Sequence, residues 1–150
     1  MTAFHSLNVS ASALTAQRDR MDVVSSNLAN MDTTRAKQVN GEWVPYRRKM
    51  VSLQSKGESF SSILNSQMSG SGNAGNGVKV SKITEDDSDF NLVYDPTDPD
   101  ANAEGYVQKP NVDPLKEMVD LVSSTRSYEA NVTAMNATKG MLMKALEIGK

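Results

Sequence analysis

Leu7, Leu14, Met21 and Leu28 recur every seven residues, with Phe4 and Ala11 three places before the first two and Val24 and Met31 three places after the last two. A seven-residue repeat with neighbours offset by three returns to one face of a helix, so this is a coiled-coil-like seam. Proline and glycine are absent from residues 1–40. The spacing predicts a helix from about Ala3 to Ala29, roughly 40 Å long at 1.5 Å per residue.

A second long helix is signalled at "PNVDPLKEM". Asp113 suits the N-cap, and Pro114 suits the first turn, where no intrahelical N–H bond is lost. From there Met118, Leu121, Thr125, Tyr128, Val132, Met135, Lys139, Leu142 and Leu146 follow steps of three and four, and only Thr125 and Lys139 break the apolar stripe. A stripe of small residues, Ala130, Ala134, Ala137 and Ala145 with Gly140 beside it, lets another helix approach on a different face. Gly140 costs about 1 kcal/mol against alanine, which implies either close packing or local weakness. Gly149 is placed to end the helix.

Between these segments the period changes. "EWVPYRRKMVSLQ", "VKVSKI" and "FNLVY" carry the β-branched and aromatic residues of short strands, with Pro45 marking an edge or a bulge. "SGSGNAGNG", Ser69 to Gly77, reads as a flexible loop, and "YDPTDPDANAEGY" as a series of turns. The predicted fold class is mainly α with a small β-rich middle. The long N- and C-terminal helices pair as a coiled-coil-like domain formed by residues 1–34 and 111–150. Residues 35–110 form the middle region, with the loop at 69–77.

Composition sharpens this picture. Hydrophobic residues are 38% and aromatic residues 5% of the 150, below the roughly 45–50% apolar content usual for a globular domain. Some burial is therefore expected to be intermolecular. The net charge of -2 supplies no field for gathering nucleic acid and no polybasic membrane signal. Acidity is concentrated: Glu85 to Glu104 holds eight carboxylates and no Lys or Arg, a stretch expected to be solvated. No cysteine is present, so thiolate chemistry is excluded. No run of about 18 apolar residues occurs and the first residues lack the pattern of a cleaved secretory signal, so neither membrane insertion nor signal cleavage is expected.

The residues that could carry chemistry do not assemble into a motif. Gly70, Gly72 and Gly75 satisfy G-x-G-x-x-G, but a strand pattern follows where a phosphate-binding helix should begin. Asp98 could open a calcium loop, yet Ala103 and Lys109 stand where that loop needs glycine and glutamate. The same carboxylates lack the walled cleft that glycoside hydrolysis requires. His5 is the single histidine, too little for a triad or a metal site, and reads as a surface residue. Arg47, Arg48 and Lys49 beside Trp43 and Tyr46 could suit nucleic acid, but an exposed strand, or an interface with an acidic neighbour, fits the acidic remainder better. The nine methionines include Met118 and Met135 on the helical stripe, where they are most simply packing residues. No catalytic residue, metal site or cofactor is expected.

What remains is the stretch "SSNLANMDTTRAK", which resembles the N-terminal signature of bacterial flagellar rod and hook proteins, an Asn-Leu-Ala-Asn run followed by threonines. "VPYRRKMV", "VYDPTDPDANAEGYVQKPNVDPLKEMVDL" and "SSTRSYEANVTAMNATKGMLMKALEIGK" resemble the proximal-rod members of that family. Together the similarity covers most of the chain apart from the glycine-rich loop. Two departures stand out: hook-like members usually place Gly-Phe where Arg35 and Ala36 stand, and histidine is common in the family where Asp98 stands. The first favours the proximal-rod branch over the hook and the distal rod, and the second makes a required histidine at that turn unexpected.

The resemblance implies a structural, non-enzymatic subunit of the proximal rod that transmits motor torque. It also implies an extracytoplasmic position reached unfolded through the flagellar type III export apparatus. The implied partners are other rod proteins and further copies of the chain. Terminal seams of roughly 40–50 Å exceed what so small a middle can cover, which points the same way. The expected packing positions are Leu7, Leu14, Met21, Leu28, Met118, Leu121, Tyr128, Val132, Met135, Leu142 and Leu146. Another axial rod paralogue and an autonomous coiled-coil adaptor are the competing readings.

Overall fold

The computed structural model describes residues 2–56 and 77–148. Their elements run α1 (Thr2–Ala29), β1 (Lys37–Val39), β2 (Glu42–Val44), β3 (Lys49–Ser55), β4 (Val78–Glu85), β5 (Asn91–Tyr94), β6 (Tyr106–Lys109) and α2 (Pro114–Ile148). The fold is mainly helical, with strands in three two-stranded sheets, β1–β2, β3–β4 and β5–β6. Residues 69–76 of the expected loop and the expected terminator Gly149 lie outside the described residues.

Both helices begin and end for local reasons. Asp113 Oδ1 accepts the backbone N–H groups of Leu115 at 2.9 Å and Lys116 at 3.4 Å, so it caps α2 as its position before Pro114 predicts. α1 closes through Asn30, whose backbone N–H bonds the carbonyls of Ser26 and Asn27, both at 3.2 Å. Thr33 N–H then bonds Asn30 O at 3.1 Å and turns the chain out.

The sheet pattern corrects several expectations. The run "EWVPYRRKMVSLQ" is two strands, because Pro45 and the two arginines after it separate β2 from β3 instead of lying on one edge. Strand β1 was not expected, although its signal is Asn40-Gly41: both residues have positive φ, 54° and 91°, as a two-residue hairpin turn requires. That turn sets the register Lys37↔Val44, Gln38↔Trp43 and Val39↔Glu42. Strand β6 was also missed, because Tyr106–Lys109 follows a polar loop and offers little apolar alternation. It pairs antiparallel with β5, and Tyr94 and Tyr106 face each other edge to face at 5.3 Å.

Contacts gather the chain into two compact units. The first comprises the described residues of Met1–Arg20, Ser52–Lys82 and Ser124–Lys150. Within it Ala16 and Ser124 are buried. Ser12 Oγ donates to Val9 O at 2.7 Å and accepts the Val78 N–H at 3.1 Å, tying the start of β4 to α1. Gly77 has a φ of +82°, and a Cβ there would stand 2.3 Å from Ser12 Oγ. The second unit comprises Met21–Val51 and Ile83–Ser123. Its buried apolar side chains among the described residues are Val24, Pro45, Tyr46, Val107, Pro110 and Val112, a small core for the polar groups it surrounds.

Candidate functional site

The most enclosed chemistry lies in the second unit, where the first asparagine of the Asn-Leu-Ala-Asn run meets the first turns of α2. Asn27 is 0% exposed, and so is Glu117. Asn27 Nδ2 donates to Glu117 Oε2 at 3.0 Å and to Lys49 O at 2.8 Å. Asn27 Oδ1 accepts from Lys49 N at 2.9 Å and from Tyr46 Oη at 3.0 Å. Two donor hydrogens and two acceptor sites are thereby all filled, the full capacity of a side-chain amide. A buried amide so placed is fixed in orientation, because any rotation leaves desolvated groups without partners.

Glu117 brings a carboxyl group into full enclosure, which is tolerable only with compensation. Arg48 Nε donates to Glu117 Oε1 at 2.6 Å, so each carboxylate oxygen has a donor. The guanidinium, itself mostly buried, also stands 3.7 Å from Asp86 Oδ2 and 3.6 Å from Asp120 Oδ2. Arg48 N–H bonds Asn111 Oδ1 at 2.8 Å, and Asn111 Nδ2 donates to Asp86 O at 3.1 Å and Ser88 Oγ at 2.9 Å. The Asp86 carboxyl is held below its ordinary range, first by the Ser88 backbone N–H and hydroxyl and then by Arg48. The result is a polar clamp linking the end of α1, the entrance to β3 and the start of α2.

The rest of the signature stretch serves the adjacent turn. Asn30 Nδ2 donates to Ser26 O at 2.8 Å, and Thr33 Oγ1 donates to Asn30 Oδ1 at 3.2 Å. Thr34 Oγ1 donates to Asp100 Oδ2 at 2.7 Å, while Arg35 Nε donates to Asp100 Oδ1 at 2.7 Å and its Nη2 pairs with the same oxygen. Arg35 and then Thr34 hold the Asp100 carboxyl below the usual carboxylate range. Asp100 is therefore not the solvated residue that its acidic surroundings suggested. Its neighbours hold their own loop: Asp95 Oδ1 accepts from Thr97, Asp98 Oδ1 from Asp100 N, and Asn102 Oδ1 from Glu104 N and Tyr106 N. Among the described residues, no group of three or more His, Asp or Glu is placed to hold a metal ion.

The basic run is likewise placed differently from the expected exposed strand. Arg48 is committed to the clamp, and Arg47 lies before β3 with its guanidinium 4.6 Å from the Phe90 ring and Nη1 donating to Asp86 O at 3.1 Å. Arg35, Lys37, Arg47 and Lys49 line an open cleft of about 410 Å³ beside Asn30 and Thr33. Their charges are answered locally: Arg35 by Asp100, Lys37 by Glu85 at 3.3 Å, Arg47 by Asp87 at 4.0 Å, and Lys49 by the face of Tyr46. His5 is half-buried on α1.

The expected packing positions fall into two groups. Leu7, Leu14, Met21, Leu28, Leu121, Tyr128, Val132, Met135 and Leu142 are half-buried within the single chain. Met118 and Leu146 are exposed, Leu146 at 74%. Sequence reasoning passed over a second apolar face on the first turns of α2: Leu115, Met118, Val119 and Val122 are spaced i, i+3, i+4, i+7 and all are exposed, Leu115 at 72%. That spacing stands in the sequence beside the longer stripe that starts at Met118. Ala130, Ala134, Ala137, Gly140 and Ala145 are exposed too, and a Cβ built on Gly140 would meet nothing within 4 Å. Among the described residues, no helix is long and apolar enough to cross a membrane.

Known proteins give these features a context. Residues 7–37 match the family described as Flagella basal body rod protein, and residues 103–148 match Flagellar basal body rod FlgEFG protein C-terminal. A flagellar basal-body rod protein FlgC of Bacillus subtilis (strain 168) is 99% identical over 150 residues, spanning the whole of both chains. The chain belongs to the FlgC family of flagellar basal-body rod proteins. Similarity also extends over the full length to the FlgC proteins of Escherichia coli O157:H7, at 39% identity, and Salmonella typhimurium (strain LT2), at 38%. The chain is accordingly a structural subunit of the flagellar basal-body rod. Its two matched stretches hold the two ends of the buried bond, Asn27 in the first and Glu117 in the second.

Proposed function

We propose that this subunit builds the proximal part of the rod, with residues 1–34 and 111–150 forming a discontinuous axial domain. Its helices pair in a coiled-coil-like manner and pack against copies of the chain and other rod proteins. Residues 35–110 supply the lateral, β-rich region. The observation that carries this reading is the apolar and small-residue surface of α2, Leu115, Met118, Val119 and Val122 followed by the alanine stripe, which the chain leaves uncovered. Large exposed apolar faces are costly in water and mark surfaces that a partner covers.

The capacity to carry force follows from element length. At 1.5 Å per residue, the 35 residues of α2 extend about 50 Å, and a helix resists stretching and twisting through its own hydrogen-bond ladder. Neighbours locked along that length share axial and torsional force, the task of a rod that carries motor torque. Export unfolded through the flagellar type III apparatus, without signal cleavage, completes the proposed route to the extracytoplasmic rod.

Imaging basal bodies from a strain whose only copy is this chain tests the reading. The expected map places the subunit in the membrane-proximal rod, with Leu115 and Val122 against a neighbouring subunit. A map showing that face in solvent, or the chain outside the rod, would overturn it.

A further inference from the structure

We propose that the Arg48–Glu117–Asn27 clamp is a register lock: it selects one alignment of α2 against the end of α1 and the entrance to β3, and adds little net stability. The proposal rests on the rod reading for its purpose, since a subunit must present its helical surfaces at fixed heights to its neighbours.

The apolar pattern cannot set that alignment alone. Leu121, Tyr128, Met135 and Leu142 recur every seven residues on α2, as Leu7, Leu14, Met21 and Leu28 do on α1. A slip of one heptad, about 10 Å along a helix, exchanges apolar residues for apolar residues on these two lines, although the neighbouring line of α2 then brings Thr125 and Lys139 to apolar places. Polar pairing breaks this degeneracy. A shift of α2 by seven residues brings Pro110 or Ser124 to the place of Glu117, and neither offers a carboxylate that answers Arg48 Nε and the second Asn27 hydrogen together. Either heptad slip therefore takes away the one carboxylate that serves both the Arg48 Nε and the buried Asn27 amide, and leaves Arg48 to its longer contact with Asp86. Single polar residues in apolar seams fix register in this manner while costing stability, and buried ion pairs can often be replaced by apolar groups without loss of stability.

The test uses the full-length chain, which has no cysteine of its own, with spin labels introduced through Ser25→Cys and Ser123→Cys. Both positions are exposed in the second unit. Distances are compared between the otherwise native chain and the Arg48→Met, Glu117→Leu double variant. Expected are one narrow distance in the native background and, in the double variant, a second resolved population from chains whose α2 has slipped about 10 Å along its axis. The urea midpoint of the double variant should recover most of the loss caused by Glu117→Leu alone, and incorporation into rods should fall at least tenfold.

Spread distances in the native background, or one unchanged distance in the double variant, would overturn the lock. So would a double variant no more stable than Glu117→Leu, including one that does not fold. Wild-type incorporation despite a second population would overturn its role in assembly. Failure of the native chain to restore basal bodies would reject the rod reading instead, and the distances, measured on the soluble chain, would still decide the lock.

Discussion

Asn27 and Glu117 stand 90 residues apart in sequence and 3.0 Å apart in space, both sealed from solvent. This one bond joins the end of the N-terminal helix to the first turns of the C-terminal one. It gives the Asn-Leu-Ala-Asn signature a physical role that its sequence context does not announce.

Replacing Asn27 with aspartate keeps the shape and removes both donor hydrogens. The new carboxylate would face Glu117 and the Lys49 carbonyl, the two acceptors that the amide now serves. The expected loss is about 3 kcal/mol or more, against about 1 kcal/mol for Asn30→Ala, whose contacts are a local turn. Urea denaturation of the full chain reads both. Equal losses would show that burial of Asn27 is not what matters.

Gly140 makes the opposite prediction. An added methyl finds open space in the single chain, so Gly140→Ala should stabilise α2 by about 1 kcal/mol, seen as a higher helix-melting temperature. If a neighbouring helix closes on this residue in the rod, the same variant should incorporate less well. Higher stability with undiminished incorporation would remove Gly140 from the packing surface.

Glycines with positive φ should divide by their surroundings. Gly41 has a φ of +91° with nothing near a future Cβ, so Gly41→Ala carries only the conformational cost, about 1 kcal/mol. Gly105 has a φ of +81° and its Cβ would lie 2.9 Å from Tyr94 Cε2 and 3.3 Å from Pro96 Cβ, so Gly105→Ala should cost clearly more. Comparison of the two unfolding midpoints checks the order.

Acid should weaken the second unit through Asp100. Its folded pKa is lowered from the ordinary 3.8 by Arg35 and Thr34, so the unfolded chain takes up the proton first as pH falls. The stabilisation is present above the ordinary value and fades as pH drops through the lowered one. Asp100→Asn should therefore flatten the fall in stability below about pH 4. An unchanged acid limb in the variant would assign the loss to other groups, with Asp86 and Asp95, also lowered, next in line.

Leu14 and Val132 are half-buried in the single chain, and an aspartate at either would place a charge on the proposed seam. Leu14→Asp and Val132→Asp are expected to yield soluble subunits absent from isolated rods. Normal incorporation of either would take its residue off the assembly list.

Much of the helical architecture was legible because its causes are local. The heptad from Leu7 to Leu28, the Asp113-Pro114 start and the absence of breakers act within one or two turns, and the helices α1 and α2 follow them closely. The β1–β2 hairpin is equally local, but its signal is the turn chemistry of Asn40-Gly41 and not an apolar run. Strand β6 was beyond such reading, since Tyr106–Lys109 becomes a strand by pairing with β5 across a loop.

The clamp marks the boundary between the two kinds of information. The sequence alone determined two long helices and a polar turn after Ala29, and its low apolar content set the expectation that some burial is intermolecular. Only tertiary structure decided that Arg48 leaves the basic run to meet Glu117, and that Asn27 commits its whole amide to Tyr46, Lys49 and Glu117. Periodicity is a property of neighbours along the chain. The partner of a buried polar group depends on which distant segments folding brings within about 3 Å, where the cost of an unmet hydrogen bond makes the choice.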